Sequence, residues 1–122
     1  MGVYIIRRIL NNNAFVSTDE LGKEIVVMGK GIAFQHTTGD RVPQQRAEQV
    51  FRLSEENAGR FQELAARIPM SYAMLSEKII HRAEKTLKGK LSESIYLTIP
   101  DHIYSAALRY REGLVTKNSM LW

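Results

Sequence analysis

The sequence predicts an α+β chain: a small four-stranded antiparallel sheet over residues 1–53, then an all-α segment over residues 54–122 that reads as a partial helical bundle. Three features lead there. Up to Leu53, branched apolar residues gather in short runs. From Ser54 onward, apolar residues recur at helical spacing. Asparagine, glycine and proline fall between the runs, where turns and helix ends belong.

In the first half, residues 3–10 (VYIIRRIL), 14–17 (AFVS) and 24–28 (EIVVM) are predicted strands of a meander. The turn Asn11-Asn12-Asn13 joins the first two, and Asp19-Glu20-Leu21-Gly22 joins the next two, with glycine where a left-handed residue is wanted. A long loop over 29–47 leads to a returning fourth strand at 49–53. Strand alternation sets Val3, Ile5 and Ile9 on one side of the first strand and Tyr4, Ile6 and Leu10 on the other; Ile25 and Val27 oppose Val26 and Met28. Both faces are therefore apolar, and this segment holds no helix to cover the second one. So small a sheet is marginal alone, and pairing with a second copy as a homodimer is expected.

Ser54 is placed to cap a helix whose first turn carries Glu55 and Glu56, suited to the positive end of the helix dipole. Phe61, Leu64, Ala65 and Ile68 then follow at i, i+3, i+4 and i+7, and Pro69 ends the run. A second helix starts at Ser71, with a stripe of Leu75, Ile79, Ala83 and Leu87, and stops at Gly89. A third covers residues 92–112, interrupted or restarted at Pro100, with Ile103, Ala106, Ala107 and Tyr110 on one face and Gly113 closing it. The sequence ends on Ser119-Met120-Leu121-Trp122, an apolar cluster that reads as a bundle cut short.

Composition excludes several functions. Cysteine is absent, so there are no disulfides, no thiol catalysis and no cysteine-ligated metals, which fits a cytoplasmic location. No apolar run approaches the roughly 18 residues of a membrane span, so membrane insertion is not expected. The net charge of +4 divides evenly, with seven basic and five acidic side chains through Leu53 and ten and eight beyond it. An anionic partner would have to be held by placed residues rather than bulk charge. His36, His81 and His102 lack metal-ligand spacing. No Ser/His/Asp set or carboxylate pair stands out, so neither enzyme, metal nor cofactor is expected.

Two segments carry recognition chemistry. Asn11-Asn12-Asn13, taken singly, is ordinary turn chemistry, but exposed amides also pair with base edges and sugar-phosphate. Gly29-Lys30-Gly31 is too short for a nucleotide-binding P-loop. Its glycines permit close backbone approach, Lys30 offers a cation to phosphate, and Phe34 offers a stacking ring. Taken singly, it is a turn followed by a core phenylalanine.

Together, residues 7–13 (RRILNNN), 26–34 (VVMGKGIAF), 37–40 (TTGD), 95–103 (IYLTIPDHI) and 117–122 (KNSMLW) resemble the BglG/SacY-type transcriptional antiterminators of bacterial sugar operons. The resemblance implies that residues 1–53 are a dimeric, RNA-binding co-antiterminator domain. Such a dimer binds a leader mRNA hairpin and prevents the overlapping terminator from forming. It implies RNA contacts from Arg8, Asn11, Asn13, Gly29, Lys30, Gly31 and Phe34. It further implies that residues 54–122 open the first phosphotransferase-system regulation domain, with His102 a phosphorylation site served by phosphocarrier and sugar transporter proteins. Two positions depart from the family: Lys30 stands where many relatives have arginine, losing the planar bidentate fork, and Pro100 precedes Asp101-His102. The competing expectation is a phosphorylation-responsive interaction module whose sheet only dimerises.

Overall fold

The computed structural model describes residues 2–120, with side chains through residue 113. The elements are β1 (Val3–Ile5), β2 (Arg8–Asn11), β3 (Ala14–Thr18), β4 (Glu24–Met28), β5 (Arg41–Pro43), a 3-10 turn (Gln44–Arg46), β6 (Gln49–Phe51), α1 (Glu55–Arg67), α2 (Met70–Leu87) and α3 (Ile95–Met120). The predicted meander and returning strand form one antiparallel sheet in the order β2-β3-β4-β6.

The expected first strand is two strands. β1 leaves the main sheet and pairs with β5, which lies inside the segment expected to be a loop. The chain changes partners at Ile6, whose N–H and C=O bond Asp40 and Gly39, while the Arg7 N–H donates to the Val16 carbonyl. The pleat does not carry across that step. Tyr4, Ile6 and Ile9 consequently share one core, whereas Val3 and Ile5 remain exposed.

The main sheet buries both faces. On one, Phe15, Ile25 and Val27 pack with Ile6, Ile32, Ala33 and Val42, drawn from the strand crossing and the 29–47 segment. On the other, Ala14, Val26, Met28 and Phe51 pack against Phe61 and Ala65 of α1 and Ala73 of α2, with Leu10, Tyr96 and Leu97 at the margin. Phe51 and Phe61 stack with ring centroids 4.8 Å apart. The second apolar face, which the sequence left for another copy to cover, is covered by the chain's own helices. The packing need that motivated a homodimer is met within one chain.

α1 follows its predicted stripe, burying Phe61, Leu64 and Ala65, with Ile68 just beyond. Ser54 precedes it but makes no side-chain cap; Glu93 does that work from the α2–α3 connection, accepting hydrogen bonds from Ser54 N, Ser54 Oγ and Asn57 Nδ2. α2 buries Ala73, Ser76 and Ile80, leaving Leu75, Ile79 and Leu87 of the predicted stripe exposed. The apolar stripe therefore misidentified the packed face, which carries Ala73, Ser76 and Ile80.

α3 runs through Pro100 without a break and past Gly113. Pro100 is buried within the second turn, where its missing N–H costs one helical bond that packing offsets. Tyr110 of the predicted α3 stripe is exposed. Leu121, Trp122 and the side chains of Ser119 and Met120 lie outside the described residues. No described helix is long and apolar enough to cross a membrane.

Candidate RNA interface

The β2–β3 turn and the loop after β4 meet at one end of the sheet, because β3 lies between β2 and β4 and Ala14 pairs with Met28. There they lock together. The Asn13 carbonyl accepts the Gly29 N–H at 3.0 Å, its side-chain Oδ1 accepts the Gly31 N–H at 2.7 Å, and the Asn12 carbonyl accepts the Ala33 N–H at 2.9 Å. Asn11 Oδ1 closes the turn by accepting Asn13 N–H. Glu48, which the sequence gave no reason to single out, holds the loop from the far side by accepting Lys30 N–H.

Both loop glycines are needed, for different reasons. Gly31 has φ +67°, a left-handed conformation that suits glycine. A Cβ on Gly29 would stand 2.7 Å from the Arg46 carbonyl oxygen. The loop presents Lys30 as an exposed cation and Phe34 as a ring left 55% exposed by the turn that closes from Phe34 N–H to the Gly31 carbonyl. Phe34 is thus a surface ring and not a core phenylalanine. Asn13, Gly29, Lys30, Gly31 and Phe34 form one connected patch with stacking, amide and cationic groups.

Arg8 and Asn11 are placed differently. Arg8 stands on the α1 side of β2, and its guanidinium donates to Gln62 Oε1. Gln62, buried on α1, donates in turn to Glu24 Oε1 at 2.8 Å. Asn11 Nδ2 donates to the Ala65 carbonyl at 2.9 Å, one of the last-turn carbonyls of α1 that lack intrahelical partners. Of the seven expected contact residues, Arg8 and Asn11 are tied to a helix, with Arg8 still exposed; Lys30 and Phe34 are exposed, Asn13 and Gly31 half-buried and Gly29 buried. Gln62 was not visible as functional in the sequence; its only signal is a polar residue lodged against the apolar stripe beside Phe61.

His102 is exposed on α3. Its neighbour Asp101 accepts a hydrogen bond from Arg67 of α1 at 3.0 Å, and among the described residues it makes none with the His102 ring. His36 is half-buried rather than simply exposed, with Nδ1 2.9 Å from Asp40 Oδ2. The Thr37 N–H and the His36 ring hold the Asp40 carboxyl below its usual range. That pair fastens the turn where β1 and β5 meet.

Residues 4–59 match the family model for the CAT RNA binding domain. The chain is 42% identical over 118 residues to the transcription antiterminator LicT of Bacillus subtilis, covering 96% of this chain and 43% of that protein. It is 36% identical over 118 residues to the beta-glucoside operon antiterminator of Dickeya chrysanthemi, covering 96% of this chain and 42% of that protein. The chain thus spans less than half the length of these relatives. Its fold matches the crystal structure of GlcT CAT-PRDI with a TM-score of 0.66 at 24% identity, over 92% of this chain and 67% of that one. The sequence likeness runs from the locked loops through the helices: residues 4–59 match the CAT RNA binding domain, and the chain as a whole is similar to the first part of proteins named transcription antiterminators.

Proposed function

We propose that this chain is a sequence-specific RNA-binding antiterminator segment, acting without catalysis in the cytoplasm. It would bind a leader mRNA hairpin as a dimer, a pairing implied by the family resemblance and not by an uncovered sheet face, and keep that RNA from pairing into a terminator. Residues 1–53 form the RNA-binding part and residues 54–122 the start of a phosphorylation-controlled regulatory part. The observation that carries this reading is the locked pair of loops. Asn13 fixes the Gly29–Gly31 backbone and so sets Lys30, Phe34 and its own amide in one patch. A fixed amide reads base edges in an irregular helix, a fixed ring stacks on an unpaired base, and a cation neutralises phosphate.

The test is a titration of the chain with a leader hairpin and with a mispaired mutant of it, at two salt concentrations. Tight binding to the hairpin, weak binding to the mutant and a steep salt dependence are expected. Equal weak binding to both overturns specific recognition.

Phosphorylation at His102, delivered by phosphocarrier and sugar transporter proteins, is the proposed control. The ring is exposed for transfer. The added phosphate brings about two negative charges beside Asp101, whose pair with Arg67 ties α3 to α1. Phosphate transfer to the wild type but not to His102→Ala is the expected result; equal labelling places the site elsewhere. The engagement of Arg8 and Asn11 by α1 favours a second reading, a phosphorylation-responsive interaction module whose sheet only dimerises. That reading predicts no discrimination between the hairpin and its mutant.

A further inference from the structure

Resting on the RNA-binding reading above, we infer that Glu48 is a specificity-determining residue. By occupying the Lys30 N–H it keeps the glycine loop from serving as a phosphate cradle, so RNA is admitted on its bases rather than on its backbone.

A glycine-rich turn with a left-handed residue ordinarily points successive backbone N–H groups at one spot, and such a concavity binds the phosphates of any nucleic acid. The Gly29–Gly31 turn has that make-up, with Gly31 at φ +67°, yet its donors are already used. The Gly29 N–H goes to the Asn13 carbonyl, the Lys30 N–H to Glu48 Oε2 at 2.7 Å, and the Gly31 N–H to Asn13 Oδ1. Ile32, Ala33 and Phe34 donate to the carbonyls of Gly29, Asn12 and Gly31. Every N–H from Gly29 through Phe34 is therefore paired within the protein. The Lys30 carbonyl, by contrast, receives no donor among the described residues. What the backbone of Lys30 has left for RNA is an acceptor, which meets base amino groups and ribose hydroxyls and repels phosphate oxygens.

Five of these bonds are made by carbonyls of the loop itself or by the Asn11-Asn12-Asn13 turn. The Lys30 N–H is the exception, since its partner is an exposed side chain 18 positions further on. That side chain is placed on purpose-built backbone. The Glu48 N–H donates to the Met28 carbonyl at 2.8 Å, and the next residue, Gln49, pairs with Met28 in the β4–β6 ladder. Stability does not call for the bond, because an exposed N–H is satisfied by water at little cost. Its effect falls on the ligand instead. Glu48 removes the one loop donor that solvent, and hence phosphate, could reach, and it sets a negative charge beside the Lys30 cation. Both changes weaken attraction to RNA offered only as a polyanion.

The experiment compares wild type, Glu48→Ala and Glu48→Gln, each titrated with the RNA target of LicT and with a fully paired duplex of the same length, which offers phosphates but no open bases. Glu48→Ala frees the Lys30 N–H; its preference for the target over the duplex is expected to fall by about fivefold, with the duplex binding more tightly than to wild type. Glu48→Gln drops the charge but keeps an acceptor for the Lys30 N–H, and most of the preference should return. Should Glu48→Ala fail to fold, Glu48→Asp, which keeps the charge and loses the reach, decides the same comparison against Glu48→Gln. Equal weakening of both RNAs by Glu48→Ala marks a merely structural contact and overturns the inference. Equal loss of preference in Glu48→Ala and Glu48→Gln assigns the effect to charge alone and overturns it too. A wild type that does not separate the target from the duplex overturns the RNA-binding reading itself; a wild type that does, with an unchanged ratio in Glu48→Ala, overturns only the role given to Glu48.

Discussion

Asn13 has one observed role, as a latch on the loop, and one proposed role, in reading RNA, and substitution can separate them. Its Oδ1 accepts the Gly31 N–H at 2.7 Å, and its amide Nδ2 is the donor proposed to meet RNA. Asn13→Ala removes both. The half-buried Gly31 N–H then loses its partner, a change worth about 1 kcal/mol of stability, while a lost amide–base contact costs roughly 1–3 kcal/mol of binding. Asn13→Asp keeps an acceptor for Gly31 but replaces the amide donor with negative charge in a phosphate-facing patch. The aspartate variant should unfold in urea close to wild type yet lose about ten- to hundredfold in hairpin affinity by electrophoretic shift. The alanine variant should lose in both assays. If Asn13→Asp binds as tightly as wild type while Asn13→Ala binds weakly, the side chain acts only as a latch and reads no base.

Phe34→Ala should leave thermal unfolding unchanged, because the ring is 55% exposed, and weaken RNA binding by about 1–3 kcal/mol. Lys30→Ala should flatten the plot of log affinity against log salt by roughly one unit, the mark of one lost phosphate contact. Gly29→Ala drives a Cβ to within 2.7 Å of the Arg46 carbonyl oxygen, and a thermal melt should show destabilisation of about 1–3 kcal/mol. The Glu93 carboxyl is held below its ordinary value of 4.5 by hydrogen bonds from the Asn57 side chain and then from the Ser54 side chain and backbone. A depressed folded-state value means this support is present above pH 4.5 and fades as pH falls through the lowered value. Glu93→Gln should flatten that part of the acid melting profile and cost about 1 kcal/mol near neutrality, as for a lost helix cap.

The meander and α1 were legible because each rests on local signals: branched runs, a triple asparagine, a stripe at helical spacing. The departures occur where a distant partner decides. Residues 3–10 look like one strand, but the 39–40 turn takes the hydrogen bonds of Ile6 and turns β1 away. On α2 the large residues Leu75 and Ile79 suggested the packed face, whereas the buried row is Ala73, Ser76 and Ile80, set by the sheet and helices it meets. The loop half of the proposed RNA patch is grouped by the sequence because Gly29-Lys30-Gly31 and Phe34 lie close together in it. The Arg8–Gln62 contact was not legible, since the two residues are separated by 54 positions and no local pattern links them. The second sheet face was correctly read as apolar; its cover was assigned to another molecule because α1 lies beyond the segment from which that face was read.

The core that joins sheet to helix bears on how this domain can be recombined. Phe61 and Ala65 fill one interior with Phe51 on the sheet side and Ala73 on the helix side, so the packing continues across Leu53. A chimera spliced after residue 53 would transplant the sheet without the side chains that fit it, and the graft would inherit a mismatched half-interior. Splicing after Arg67, the last residue of α1, carries the fitted pieces across together. It still severs the Glu93 anchor and the Arg67–Asp101 pair, so a donor helix module would have to supply a carboxylate at each place. Portability of the sheet as a cassette is therefore set by the helix that follows it.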